Sequence, residues 1–253
     1  MDLGLHGLRA LVTGGTRGIG RAIVEVLAAE GAAVGFCART GHDVTETAGT
    51  LTGLGSMVSG HMVDVADPDA VQRWVAECAA ELGGVDIVVA NVSALAIPDE
   101  TANWHASFGV DLMGTVGMVK AAMPYLEQST AASILTISSV SGREIDFAAG
   151  PYGVVKAAII HYTQGLAYQL APKGIRANSL SPGNTYFSGG VWENIEQHNP
   201  ELFAKAMALN PTGRMAKPEE VARAAAFLVS PAASFITGTN LLVDGALTRG
   251  VQF

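Results

Sequence analysis

Apolar positions along this chain alternate between two spacings. Leu8, Ala10, Leu11 and Val12 form a short apolar run, which predicts a first buried strand. Ile19, Ala22, Ile23, Val26 and Leu27 then fall at i, i+3, i+4, i+7 and i+8, an amphipathic helix closed by Gly31. Ala33 to Cys37 predicts a second strand, and His61-Met62-Val63 a weaker third. Asp67-Pro68 supplies an N-cap with proline at the first helical position, and Val71, Trp74, Val75, Cys78 and Leu82 make one apolar helix face. Ile87 to Ala90 and Ile134 to Ile137 predict further buried strands, separated by a helix carrying Leu112, Val116, Val119 and Met123. A helix from about Tyr152 to Leu170 precedes a strand over Arg176 to Leu180. The last helix begins near Pro218, and the last strand is Leu241 to Val243.

Strand and helix in regular alternation, with apolar strands, predict an α/β fold: a parallel sheet covered by helices on both faces. Right-handed crossovers make such a sheet doubly wound. No Ser/Gly/Pro-rich linker, repeat or low-complexity segment interrupts the chain, so residues 1–253 are expected to form a single domain. The segment 184–215 breaks the alternation and holds Tyr186, Phe187, Trp192, Phe203 and Met207. An insertion after a strand's carboxyl end suits a substrate lid; extra packing for a subunit contact is an equal alternative.

Composition narrows the function classes. Of 253 residues, 49% are hydrophobic and 15% charged, enough apolar material for a large core and too little charge for a disordered chain. Fifteen Lys and Arg against 23 Asp and Glu leave a net charge of −8, which argues against nucleic acid as a partner. Cys37 and Cys78 lie far apart in the sequence without CxxC spacing, and the histidines are scattered. Neither a disulfide framework nor a metal site is expected. The longest uncharged stretch, Ala224 to Val243, is broken by Ser230-Pro231 and Thr237-Gly238-Thr239, so no membrane span is expected. Met1 to Gly7 lacks a secretory pattern, and a cytoplasmic location is expected.

The candidate chemistry begins at Thr13-Gly14-Gly15-Thr16-Arg17-Gly18-Ile19-Gly20, between the first strand and the first helix. Glycines here let backbone approach a pyrophosphate, and the helix N-terminus offers free N–H groups to its charge. Later, Ser139 is followed by Tyr152 and, four residues on, by Lys156. On a helix the last two share one face, and an ammonium beside a phenol favours the phenolate. With the turn Ser181-Pro182-Gly183, the pair Asp64-Val65 and the C-terminal Val243-Asp244-Gly245, these motifs resemble the short-chain dehydrogenase/reductase family over nearly the whole chain.

The resemblance implies a Rossmann-type fold and hydride exchange between a nicotinamide and a ketone/secondary-alcohol pair. It implies that Tyr152 is the catalytic acid or base, that Ser139 positions the substrate oxygen, and that Lys156 holds the nicotinamide ribose. It places the cofactor on Gly14, Thr16, Arg17, Gly18, Ile19 and Gly20, on Asp64, Val65 and Asn91, on Tyr152 and Lys156, and on Pro182 and Gly183. Two departures stand out. Ala90-Asn91-Val92-Ser93 keeps only one asparagine of the family's Asn-Asn-Ala-Gly, and Asp111 replaces the asparagine of its proton relay. After the second strand, where NAD binders carry a carboxylate, the chain reads Ala38-Arg39; Arg39 and Arg17 suit a 2′-phosphate, so NADP is expected over NAD. The aromatic segment and the acidic balance favour a small hydrophobic cyclic, aryl or steroid-like ketone. A 3-oxoacyl carrier-protein substrate and a non-catalytic cofactor-binding regulator are the alternatives. The resemblance also implies a homotetramer or homodimer.

Overall fold

A computed structural model describes every residue except Met1, Thr52, Leu54, Gln252 and Phe253, so the ends of the 1–253 span lie outside the described residues. Seven strands form one parallel sheet: β1 (Arg9–Thr13), β2 (Ala33–Ala38), β3 (Val58–Met62), β4 (Ile87–Ala90), β5 (Ser133–Ile137), β6 (Arg176–Pro182) and β7 (Asn240–Val243). Their order is β3-β2-β1-β4-β5-β6-β7. Every pairing is parallel, with Leu11 between Gly35 and Val88 at the centre. The alternating sides of a strand explain the two apolar layers. Val12, Ile87, Val89 and Leu135 pack on one face against α1 (Gly18–Ala29) and α9 (Pro218–Val229). Leu11, Val88 and Ile134 pack on the other against α3 (Pro68–Leu82) and α5 (Gly114–Leu126), beside the long helix α6 (Pro151–Leu170).

The predicted helix start at Asp67 is present. Its carboxylate accepts from the N–H groups of Asp69 and Ala70 at 3.0 and 3.1 Å, and Gly83 closes α3 with φ +81°. Other boundaries moved. β3 begins at Val58 rather than His61, because its interior is Ser59-Gly60; a Cβ on Gly60 would stand 2.7 Å from the Phe36 ring. Helix α2 (Gly41–Leu51) had no sequence signal, since its buried side is only Val44, Thr47 and Leu51. The helix expected around Leu112 is built of α4 (Thr101–Ala106), a π-helical stretch (Ser107–Met113) and α5 in succession. The wider π turn rotates the buried face of α5 onto Met118, Val119, Ala122 and Leu126, and leaves Met113 exposed. Within 184–215 lie α7 (Val191–His198) and α8 (Pro200–Leu209), packed on each other through Trp192, Ala206 and Met215.

An ion pair between the buried Asp86 and the partly exposed Arg9 ties the N-terminal edges of the central strands. Asp86 receives two 2.7 Å hydrogen bonds from the Arg9 guanidinium, one of 2.9 Å from the Arg9 N–H and one of 2.5 Å from the Ser129 hydroxyl. Burial pushes its carboxyl up, but Arg9 and Ser129 together pull it below the ordinary carboxylate value. Such a group contributes stability that is present above its unfolded value, about 3.9, and is lost as pH falls through the lower folded value. Asp86→Ala is expected to destabilise the fold by about 1.5–3 kcal/mol at neutral pH in urea titration, because Arg9 and Ser129 lose hydrogen bonds to a charged group. A change below about 1 kcal/mol would class the pair with ordinary surface bridges.

Candidate active site

A cleft of about 410 Å³ runs along the C-terminal edge of the sheet, across the place where β1 and β4 part and the strand order reverses. Gly14 leaves β1 at φ +71°, and a Cβ there would stand 2.9 Å from Asn91 Nδ2. A Cβ on Gly20 would run into the Gly14 carbonyl oxygen, so α1 can dock on the turn only with glycine at that position. Arg17 opens α1 with no side-chain cap, and no acidic residue occupies the first turn. That helix end therefore presents N–H donors suited to an anion. Thr16 and Ile19 also line the cleft.

Asn91 is a structural clamp for this turn. Its N–H donates to Thr13 Oγ1 at 2.9 Å, and its amide donates to the Thr13 carbonyl at 3.0 Å. Val65 lines the cleft and packs on Gly114. Asp64 instead accepts from the Ala66 N–H at 3.0 Å and is not among the cleft-lining residues. Pro182 and Gly183 form the opposite wall, where a Cβ on Gly183 would meet Asp244 at 2.8 Å.

At the far end, Arg17 and Arg39 are both exposed, and neither forms an ion pair among the described residues. Two free guanidiniums with open forks fit a phosphate. Asp43, at the start of α2, borders the same end, with His42 Nδ1 at 3.6 Å. It escaped the sequence reading because α2 did.

The structure brings Ser139, Tyr152, Lys156 and Asp111 together. Ser139 caps the short 3₁₀ turn Val140–Gly142, which lies directly on α6; a Cβ on Gly142 would stand 2.7 Å from the Lys156 carbonyl carbon. Ser138 fastens the same contact, donating to the Lys156 carbonyl oxygen at 2.8 Å. Tyr152 follows Pro151 in the first turn of α6. Its hydroxyl has no hydrogen-bond partner among the described residues, and Lys156 Nζ lies 5.6 Å from its ring centre. Lys156 is 2% exposed; its Nζ donates to the Ile137 carbonyl at 3.1 Å and stands 3.2 Å from Asp111 Oδ1. The angles at Oδ1 do not make a hydrogen bond, so this is a charge contact. Asp111 Oδ2 accepts from the Ala94 N–H at 2.8 Å. The π-helical stretch carries Asp111 inward to 1% exposure.

Two further residues of this end were missed by sequence reasoning. Ser141 and Asp146 both line the cleft, and the Ser141 hydroxyl donates to Asp146 Oδ2 at 2.6 Å. Ser139 Oγ accepts from the Ser141 N–H at 3.2 Å and donates to Ser141 Oγ at 3.3 Å. Only a turn places these residues together, and no periodicity marks it. The segment 184–215 reaches the cleft from the other side. The Trp192 ring meets Phe147 edge-on at 5.5 Å, and Phe187 lies over Gly18.

Elsewhere, His61, Cys78 and Glu81 place ligand atoms within 4.8 Å of one another. Burial and the charges of Glu81 and Glu77 push the Cys78 thiol up to about 12, which disfavours the thiolate a metal needs. Both cysteines are buried and unbridged. Among the described residues, no helix is long and apolar enough to cross a membrane.

Comparison with known proteins agrees with this geometry. The family model described as enoyl-(acyl carrier protein) reductase matches residues 14–248. Isoepoxydon dehydrogenase patN of Penicillium expansum is 45% identical, over 100% of this chain and 99% of that protein. A short-chain dehydrogenase from Burkholderia cenocepacia, solved in complex with NADP, is 30% identical with a TM-score of 0.89, over 96% of this chain and 99% of that one. L-sorbose reductase from Gluconobacter frateurii, solved with NADPH and L-sorbose, is 28% identical with a TM-score of 0.90, over 99% and 100% of the two chains.

Proposed function

This chain belongs to the short-chain dehydrogenase/reductase family, and we propose that it is an NADP-dependent oxidoreductase for the ketone/secondary-alcohol pair of a small cyclic compound. The observation that carries this reading is the convergence of Ser139, Tyr152 and Lys156 at one end of a cleft whose other end is a glycine cradle. The cradle fits a dinucleotide, since Gly14 and Gly20 let α1 pack closely on the turn and its uncapped first turn, free of acidic residues, offers N–H donors to a pyrophosphate. Gly14, Thr16, Gly18, Ile19 and Gly20 would hold the pyrophosphate, Arg17 and Arg39 the 2′-phosphate, Val65 and Asn91 the adenosine side, and Pro182 and Gly183 the nicotinamide side. When bound, the cofactor supplies or accepts the hydride.

In the reduction direction, the Tyr152 hydroxyl donates its proton to the ketone oxygen, and Ser139 holds that oxygen by a hydrogen bond. Lys156 keeps a positive charge below Tyr152 and binds the ribose; Asp111 holds Lys156 in place. Residues 1–253 act as one unit in this reading, with 184–215 as the substrate lid. Phe187 against Gly18 and Trp192 against Phe147 support that role, because both contacts cross the cleft. A homotetramer or homodimer is supported by the exposed Phe108, Met113, Val154 and Tyr168 on the long helices, and the cytoplasm suits a chain with two buried free cysteines.

The experiment is a steady-state assay with NADPH, NADH and a panel of cyclic ketones. Turnover with NADPH is expected, and no consumption with any ketone would sink the reading. Arg39→Ala is expected to raise KM for NADPH about tenfold or more while leaving KM for NADH nearly unchanged, since only NADPH carries the phosphate. Equal changes for both cofactors would free Arg39 of that role.

A further inference from the structure

We infer that Asp146 reads the substrate: its carboxylate accepts a hydrogen bond from a ring hydroxyl, so the preferred substrates are hydroxylated cyclic ketones rather than bare ones. This rests on the reading that Ser139 and Tyr152 hold the ketone oxygen.

Five charged residues border the cleft. Arg17, Arg39 and Asp43 belong to its glycine-turn end, and Lys156 faces Asp111. Among the described residues, Asp146 is the one charge left for the substrate end, which is also lined by Ser139, Ser141, Leu95, Phe147 and Trp192. No cation neutralises it: among the described residues its side chain accepts only from the Ser141 hydroxyl at 2.6 Å and the Ala148 N–H at 2.8 Å. A carboxylate has about four lone-pair sites, so two remain without a protein partner among the described residues. A carboxylate left so costs free energy unless a donor or water meets it.

The carboxylate also sets the direction of the hydroxyl chain beside it. Because it only accepts, Ser141 must donate to it, and Ser141 Oγ is left to accept; the Ser139 hydroxyl, which points its one proton at Ser141 here, turns it to the ketone oxygen when substrate is present. Ser139, Ser141 and Asp146 thus form a polar rail along one wall, next to the edge-on contact of Phe147 and Trp192. A ring compound whose ketone oxygen sits at Ser139 would place a more distant hydroxyl toward Asp146. A neutral hydroxyl suits this acceptor better than an ammonium. An ammonium brings three donors and a hydroxyl one, and Leu95, Ile97 and Phe147 on the cleft wall accept none of the surplus. The bland role of Asp146 is to order the turn before α6 through the Ala148 N–H, and Asn can fill that role equally well.

The test compares cyclohexanone, 4-hydroxycyclohexanone and 4-aminocyclohexanone in the full-length protein with NADPH. Wild type is expected to favour the hydroxyketone over the bare ketone in kcat/KM by about tenfold or more, the size of one hydrogen bond to a charged group. Asp146→Asn and Asp146→Ala are expected to reduce that ratio to near one, through KM, while kcat/KM for cyclohexanone stays within a few-fold. A purely structural role would lower both ketones together and leave the ratio intact, which would overturn the inference. So would a preference for the aminoketone. Calorimetric Kd values for the same ketones on the NADP⁺-bound protein separate the two levels of argument. If hydroxyketone binding depends on Asp146 but no ketone is reduced, the proposed reaction fails and this subsite stands. If ketones are reduced with no dependence on Asp146, the subsite fails and the reaction stands.

Discussion

Tyr152→Phe is expected to lower kcat for ketone reduction by about 10²–10⁴-fold, the usual worth of a positioned acid, while NADPH affinity stays within a few-fold. The ring packs in the first turn of α6 whichever residue is present, so the fold and the glycine cradle are untouched. What disappears is a hydroxyl that has no hydrogen-bond partner among the described residues and lines the cleft, beside a lysine that is buried and ion-paired. A free donor at the reacting end is the arrangement expected of a group whose partner is the substrate. Single-turnover rates with saturating NADPH, together with a fluorescence titration of the cofactor, separate the two effects. Rates near wild type in the Phe variant would remove Tyr152 from the mechanism, whereas lost cofactor binding would make it a structural residue.

Asp111→Asn should have the next largest effect, on stability and on pH dependence at once. Lys156 and Asp111 are both buried and face each other at 3.2 Å. Removing one charge of such a pair leaves the other uncompensated, at a cost of about 3–5 kcal/mol. Asn can still accept from the Ala94 N–H, so the backbone around residue 94 should hold. A negative charge beside Lys156 offsets the positive field that the ammonium exerts at the Tyr152 hydroxyl, and removing it strengthens that field. The pH optimum for alcohol oxidation is therefore expected to lie lower in Asp111→Asn than in wild type, with activity kept. Urea titration and kcat/KM against pH, using one alcohol, check both parts. Superimposable pH profiles would exclude the electrostatic coupling, and collapse of activity in the Asn variant would show that the carboxylate itself is needed.

The amino-acid sequence by itself determined the alternation of strands and helices and the position of the glycine turn. It also determined the caps at Asp67-Pro68 and Gly31, and the Ser139, Tyr152 and Lys156 set. These are short-range properties: a helical face, a cap or an i+4 pair is written in neighbouring residues, and burial on both sides of a parallel sheet makes its strands apolar. Where apolar residues are sparse, as in α2, or replaced by Ser59-Gly60 in β3, the same reasoning lost the element, because packing against Phe36 and Val44 decided it. Only the tertiary structure decided the rest of the site. The π turn that swings Asp111 onto Lys156 packs on α6 while α5 after it packs on α3, and no local propensity marks it. Asn91 reads as a cofactor residue from its motif, yet its amide clamps the backbone of Thr13. Asp146 reaches Ser141, and through it Ser139, by the turn before α6, and Trp192 meets Phe147 across 45 residues of chain. Contacts between residues far apart in sequence are set by how whole elements pack, and packing is a property of the complete core rather than of any stretch of the chain.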